Sequence, residues 1–226
     1  SFKQRKSRKL NMRNINIAII NYECGNIHSA RKAFELALTE LDISGSVTVT
    51  NEPETIFKAD KLVLPGVGAF SECFNKLKSV KGLSESITER VHDHGAPILG
   101  ICIGLQLLAD KGFENIESKG LGWISGQVEN LCPDDKNLKI PHMGWNEVNF
   151  KRDDGRFSDL NGEDFYFVHS YYFNAKDTDN ILATTNYNQP FPSALIKNNI
   201  IGTQFHPEKS QRSGVEFIKR FLMWKP

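Results

Sequence analysis

The run Pro97-Ile98-Leu99-Gly100-Ile101-Cys102-Ile103-Gly104-Leu105-Gln106 constrains this chain more than any other. A short apolar segment ends in a cysteine held between two glycines. Leu105, Leu107, Leu108 and Ala109 follow at helical spacing. Strand, sharp turn and helix in that order form the layout of a nucleophile elbow, in which a reactive side chain sits on a strained backbone among small neighbours. The amides that open the following helix lack intrahelical acceptors, so they can bind an anion and favour a thiolate. A buried, inert thiol in an α/β core satisfies the same local pattern, so the rest of the chain has to decide.

The first half alternates strand and helix. Asn16–Ile20 reads as an apolar strand, and the turn Asn21–Asn26 leads to a helix over Ser29–Leu41 with Ala30, Ala33, Phe34, Ala37 and Leu38 on one face. Val47–Thr50, Lys61–Leu64 and Ile98–Ile101 read as further strands. A helix is expected over Glu72–His92, interrupted near Gly82. This alternation predicts an α/β protein with a doubly wound, mostly parallel sheet flanked by helices, whose sites lie at the carboxyl ends of strands. After about Lys111 strand-like pieces dominate: Trp123–Leu131, Glu147–Phe150, Asp164–Phe173, Ile181–Tyr187, Ala194–Ile196 and Ile200–Phe205. They predict an added antiparallel β section, closed by a helix over Gly214–Trp224. No repeat or long linker divides the chain, so residues 14–226 are expected to form one domain.

The 226 residues carry a net charge of +1, which hides an asymmetry. Six of the 28 basic residues lie within residues 1–13, where no acidic residue occurs. The remaining 22 face 27 acidic residues, so the body is acidic. The basic stretch is expected to be a dispensable leader, disordered or a vector remnant. An acidic body offers no footprint for nucleic acid. No apolar run is long enough to span a membrane, and no signal-peptide pattern follows the basic start. Cys24, Cys73, Cys102 and Cys132 show no metal-ligand spacing. They are read as reduced thiols of a cytoplasmic protein that needs no metal or cofactor.

A cysteine nucleophile needs a base, and the base needs an orienting group. Of six histidines, His92 and His94 read as a solvated pair, and His142 and His169 as core or loop residues. His206 differs, because it ends the apolar run Ile200–Phe205 and is followed by Pro207-Glu208. The proline restricts the backbone there, and a carboxylate two residues on can fix the imidazole tautomer. Acyl transfer from an amide also needs two preorganised donors for the oxyanion. The amide of Ile103 can supply one, and Val67 or Gly68 in the loop Pro65-Gly66-Val67-Gly68 can supply the other. Each motif alone is weak, but three at three strand ends reinforce one another.

Together these residues resemble the triad (class I) glutamine amidotransferases. More narrowly, the chain is similar to the glutaminase subunits of imidazole glycerol phosphate synthases. The likeness rests on the elbow, on Gly202-Thr203-Gln204-Phe205-His206-Pro207-Glu208-Lys209-Ser210, on Pro141-His142-Met143-Gly144-Trp145-Asn146 and on Tyr166-Phe167-Val168-His169-Ser170-Tyr171. It implies hydrolysis of L-glutamine to glutamate and ammonia, with Cys102 as nucleophile, His206 as base and acid, and Glu208 as its orienter. It further implies that Gly66, Gln106, His169, Ser170 and Tyr171 line the glutamine pocket. A cyclase partner, a (β/α)8 barrel of histidine biosynthesis, would receive the ammonia, with Asn26, Trp145, Tyr166 and Lys209 facing it. Two departures stand out. The basic leader has no counterpart in the family, and Glu23 stands where the family more often has glycine. The second leaves open a related cyclase-like partner that amidates sugars for surface polysaccharides.

Overall fold

The computed structural model describes residues 14–151 and 155–226. The expected leader, residues 1–13, lies outside them. In chain order the elements are β1 (Ile15–Ile20), α1 (Ile27–Glu40), β2 (Gly45–Thr50), α2 (Pro53–Lys58), β3 (Lys61–Leu64), α3 (Phe70–Ser79), α4 (Leu83–His92), β4 (Ile98–Ile101) and α5 (Ile103–Gln106). Short strands β5 (Lys111–Gly112) and β6 (Ser118–Lys119) precede β7 (Gly126–Asn130), β8 (His142–Phe150), β9 (Glu163–His169) and β10 (Tyr171–Ala175). The chain ends through β11 (Ile181–Tyr187), β12 (Gln189–Lys197), β13 (Ile200–Thr203) and α6 (Gln211–Met223).

Nine strands build the main sheet in the order β2-β1-β3-β4-β13-β12-β11-β8-β9. The first five are mutually parallel, and β12, β11, β8 and β9 extend them antiparallel. The parallel strands β3, β4 and β13 are buried along their whole length, as expected of strands covered on both faces. A second sheet of β10, β7, β5 and β6 stands beside the main one. The antiparallel wing buries an aromatic cluster against α6. Phe150, Phe157, Phe165 and Phe205 all meet Phe217 with ring centroids between 5.0 and 6.4 Å. One turn further along the same helix, Phe221 meets Phe34 of α1 edge-on at 6.3 Å.

The interruption expected near Gly82 is present, where Gly82 takes φ +74° as the cap of α4 and separates it from α3. The differences from the sequence reading have local causes. The strand expected over Asp164–Phe173 is broken at Ser170, because β9 pairs in the main sheet and β10 in the second. The helix after the elbow is a single turn of four residues. Glu23 adopts φ +63°, a conformation that the glycine more usual there takes without strain.

Candidate active site

Strands β3, β4 and β13 lie side by side, with Leu64 paired to Gly100 and Thr203 to Ile101. Their carboxyl ends therefore deliver the Pro65–Gly68 loop, Cys102 and the His206-Pro207-Glu208 turn to one place. Chain order and spatial order coincide across the three strands. The backbone N–H of Cys102 donates to Thr203 O at 2.7 Å, which fixes the elbow to the strand carrying the base.

Cys102 sits at φ +55°, ψ −110°, a conformation non-glycine residues rarely hold and one that marks functional turns. The surrounding glycines permit it. A Cβ on Gly100 would come within 2.7 Å of Gly104 O, and one on Gly104 within 1.8 Å of Leu64 O. The turn is thus packed backbone against backbone, with the thiol buried at the cavity floor. Because α5 has only one turn, its dipole adds little to the stabilisation of a thiolate, and the charged partner of the sulfur is the imidazole. As the first residue of α5, Ile103 has an N–H with no intrahelical acceptor.

His206 is buried, and its Nδ1 lies 2.6 Å from Glu208 Oε1, whose side chain is buried as well. Burial alone would disfavour the imidazolium. The negative charge and hydrogen bonding of the Cys102 sulfur, followed by Glu208, override it and raise the His206 pKa to about 10. Nε2 is buried with no hydrogen-bond partner among the described residues, although Cys102 is near enough to raise the pKa of the ring. Such contacts between nucleophile and base are commonly loose before substrate binds. The turn itself is anchored. His206 N donates to Tyr166 O at 2.9 Å, and Ser210 Oγ donates to His206 O at 2.6 Å. A Cβ on Gly214 would approach Pro207 O to 1.8 Å, so only glycine lets α6 sit this close to the turn.

Beside the sulfur is a cavity of about 270 Å³ lined by Val67, Gly68, Cys102, Ile103, Gln106, His169, Ser170, Tyr171 and His206. Of the residues expected around the pocket, Gly66 alone lies behind its wall. A Cβ there would meet Ile103 Cβ at 2.7 Å, so Gly66 permits close packing and does not form lining. Val67 O accepts from Cys73 Sγ at 3.3 Å. In a trans peptide this turns the Gly68 N–H away from Cys73. Tyr22 OH donates to Pro65 O and secures the base of the same loop.

Gln106 Nε2 donates to Tyr171 O at 3.2 Å and to Gln204 Oε1 at 3.1 Å, while its Oε1 is buried without a partner. His169 is fixed through Nδ1 to Tyr171 O at 2.7 Å and through Nε2 to His142 Nδ1 at 2.8 Å. A carbonyl only accepts, so His169 carries its proton on Nδ1 and accepts from His142 at Nε2. Burial lowers the pKa of His142 to about 4 and that of His169 to about 3, so both are neutral.

The structure adds two residues that local sequence did not single out. Glu114 lines the cavity and accepts the Phe70 N–H at 2.9 Å through Oε2. It is the one acidic side chain in the lining, and its partner lies 44 residues away in sequence. Gln204 lies within hydrogen-bond reach of the sulfur. His92 and His94 are apart from the site. His92 packs edge-on against Trp123, and His94 faces Glu89 and Phe57. Among the described residues no cluster of three His, Cys, Asp or Glu could hold a metal, and no helix is long and apolar enough to cross a membrane.

Of the residues expected at a partner surface, Trp145, Tyr166 and Lys209 gather beside the His206 turn. Trp145 is 48% exposed and packs its edge on Tyr166 directly opposite on β9, at 6.2 Å. Lys209 Nζ stands 6.0 Å above the Tyr166 ring. Asn26 is exposed and caps α1 by accepting the Ser29 N–H at 3.3 Å.

Known proteins share this fold. A solved structure described as a glutamine amidotransferase superposes with a TM-score of 0.67 over 91% of this chain and 97% of its own, at 17% identity. A second glutamine amidotransferase, from Thermotoga maritima, gives 0.61 over 93% and 84%, at 18% identity. These likenesses bear on the fold. Imidazole glycerol phosphate synthase subunit HisH of Bradyrhizobium diazoefficiens is 48% identical over 216 residues, which cover 94% of this chain and the whole of the relative. The subunit of the same name from Rhodopseudomonas palustris is 44% identical over the same shares. The family profile for glutamine amidotransferase class-I matches residues 16–224, nearly the whole described structure, and the chain belongs to that family.

Proposed function

We propose that the chain is the glutaminase subunit of an imidazole glycerol phosphate synthase, hydrolysing L-glutamine and passing the ammonia to a cyclase partner. The observation that carries this reading is the convergence of Cys102, His206-Glu208 and the Val67–Gly68 loop on one small cavity. Curated relatives at 43–48% identity bear the name of that subunit, which supports the histidine-pathway cyclase over a polysaccharide counterpart.

In this mechanism the Cys102 sulfur attacks the side-chain amide carbon of glutamine. The oxyanion is stabilised by the Ile103 N–H and an amide of the Val67–Gly68 segment. His206, holding the proton that left the thiol, delivers it to the departing ammonia as the C–N bond breaks. Water, deprotonated by His206, then cleaves the thioester and releases glutamate. Glu208 keeps the imidazole in the productive tautomer and stabilises its charged form. The unpartnered Gln106 Oε1 is an acceptor for the substrate's polar groups, and the Glu114 carboxylate complements its ammonium. His169, Ser170 and Tyr171 form the opposite wall.

The partner surface follows from the same strands. Exposed Trp145 and half-buried Tyr166 form an aromatic pair of the kind that anchors interfaces, with Lys209 over the Tyr166 ring. Tyr166 O also accepts the His206 N–H, so a partner pressing on Tyr166 touches the backbone of the triad. The decisive experiment mixes the chain with the histidine-pathway cyclase and its ligand and measures glutamate. The wild-type chain releases glutamate, and Cys102→Ala abolishes release while the complex still forms. Glutamate production unaffected by that substitution would refute the assignment.

A further inference from the structure

Gln204 leaves the end of β13 two residues before His206. Its side chain is fully buried and bridges two parts of the site. Oε1 accepts from Gln106 Nε2 at 3.1 Å, and Nε2 points a hydrogen at Cys102 Sγ at 3.6 Å.

Which end of each amide is nitrogen follows from their partners. Gln106 lies 3.2 Å from the main-chain O of Tyr171, which can only accept. That end of Gln106 is therefore its NH2 group. The same group donates to Gln204, so the atom of Gln204 facing it is oxygen. Its other end, turned to Cys102, is then the donor. The whole chain of amides is oriented by one backbone carbonyl.

We propose that Gln204 is a positioning residue for the nucleophile, an uncharged donor that holds the Cys102 sulfur in its attacking orientation and stabilises negative charge on it. A neutral amide bonds weakly to a thiol and strongly to a thiolate. The sulfur thus meets the His206 imidazolium, the buried Tyr22 phenol, Val168 O at 4.0 Å and an amide that never titrates. Gln204 transfers no proton. In the first step the S–C bond forms, the C–N bond breaks, and the proton on His206 leaves with ammonia. In the second, water's oxygen bonds to the carbonyl carbon, its proton goes to His206, and the C–S bond breaks with its electron pair returning to sulfur. The donor assists both steps where charge resides on sulfur. The part played in turnover rests on the glutaminase reading, but the contact with sulfur does not.

The test uses Gln204→Leu and Gln204→Glu, with iodoacetamide as probe and alkylation of Cys102 followed peptide by peptide across pH. In Gln204→Leu the alkylation rate at pH 7 is expected to fall about 5- to 10-fold, the effect of one lost hydrogen bond, with the pH midpoint moved upward. Gln204→Glu retains an acceptor for Gln106 but sets a carboxylate against the sulfur. Its midpoint moves further in the same direction, and kcat for glutamine falls while KM stays within about 2-fold. Variants that unfold cooperatively yet keep the wild-type alkylation profile would overturn the proposal. If neither variant folds, glutamine-labelled wild-type chain decides by nuclear magnetic resonance. One side-chain amide, in contact with that of Gln106, should shift when Cys102 is replaced by Ala, and no such shift would overturn the proposal equally. A wild-type chain that releases no glutamate with its cyclase would defeat the glutaminase reading while leaving the alkylation result intact.

Discussion

At the scale of single residues the site is a set of strained or desolvated groups held by close packing. Cys102 at φ +55° and the buried His206-Glu208 pair, 2.6 Å apart, are costly features in isolation. The pair persists because Ser210, Tyr166 and Gly214 fix the turn from three sides. In the proposed mechanism Glu208 acts by charge as well as by geometry. Glu208→Gln keeps an oxygen for His206 Nδ1 but removes the charge that supports the imidazolium. A loss of roughly 10³-fold in kcat is expected, with KM changed only a few-fold; steady-state glutamate release with liganded cyclase measures it. A variant within threefold of wild type would reduce Glu208 to a structural role. These residues were legible in the sequence because a cysteine between glycines and a His-Pro-Glu at a strand end are local signals. Glu114 and Gln204 were not, because their partners, Phe70 for one and Cys102 with Gln106 for the other, lie 44 to about 100 residues away.

At the scale of elements, strand periodicity identified the parallel half of the sheet closely. Lys61–Leu64 and Ile98–Ile101 were read with their observed bounds. Tertiary pairing decided the rest. Nothing local marks Ser170 as the point where one apolar run divides between two sheets. Likewise, four apolar residues after the elbow suggested a longer helix than the one turn that forms. That turn is held by contact rather than length. Gly104→Ala would drive a methyl into Leu64 O, 1.8 Å from the ideal Cβ, and should cost about 3 kcal/mol, the upper end for overpacking. Urea midpoints measure it, and a change under about 1 kcal/mol would mean that α5 shifts freely on β3. The β8–β9 pair carries a second element-scale prediction. His142 and His169 face each other in register and stay neutral, with pKa values near 4 and 3. The unfolded chain binds protons on them below about pH 6.5, and the native chain does not. Stability therefore falls as pH drops from 6.5 towards 4, by up to about 1.4 kcal/mol per pH unit for each imidazole. His206 adds little slope over most of that window, because both the native state, with its raised pKa of about 10, and the unfolded state hold its proton well below pH 6.5. His142→Gln should flatten the acid slope relative to wild type. Equal slopes would show that the buried pair does not govern acid stability.

At the scale of the whole molecule, the aromatic pair and the triad are two ends of one short structural path. Trp145 packs on Tyr166, the Tyr166 carbonyl accepts from His206, and His206 faces Cys102. The proposed docking surface lies so near Cys102 that binding and turnover are separable only by the choice of residue. Trp145 is half exposed and packs on Tyr166. Its truncation would therefore remove the proposed interface anchor without unpacking the core. Trp145→Ala should weaken cyclase binding by about 2 kcal/mol, roughly 30-fold in Kd, as hot-spot aromatics do. Its urea midpoint should remain near wild type, since exposed positions contribute little to folding. Titration calorimetry with the cyclase reads the first effect, and denaturation of the isolated chain the second. Glutamate release should recover when cyclase is raised in proportion to the lost affinity. Failure to recover at saturating partner would mean that Trp145 also transmits strain through Tyr166 to the His206 turn. Unchanged affinity would place the docking surface elsewhere on the molecule.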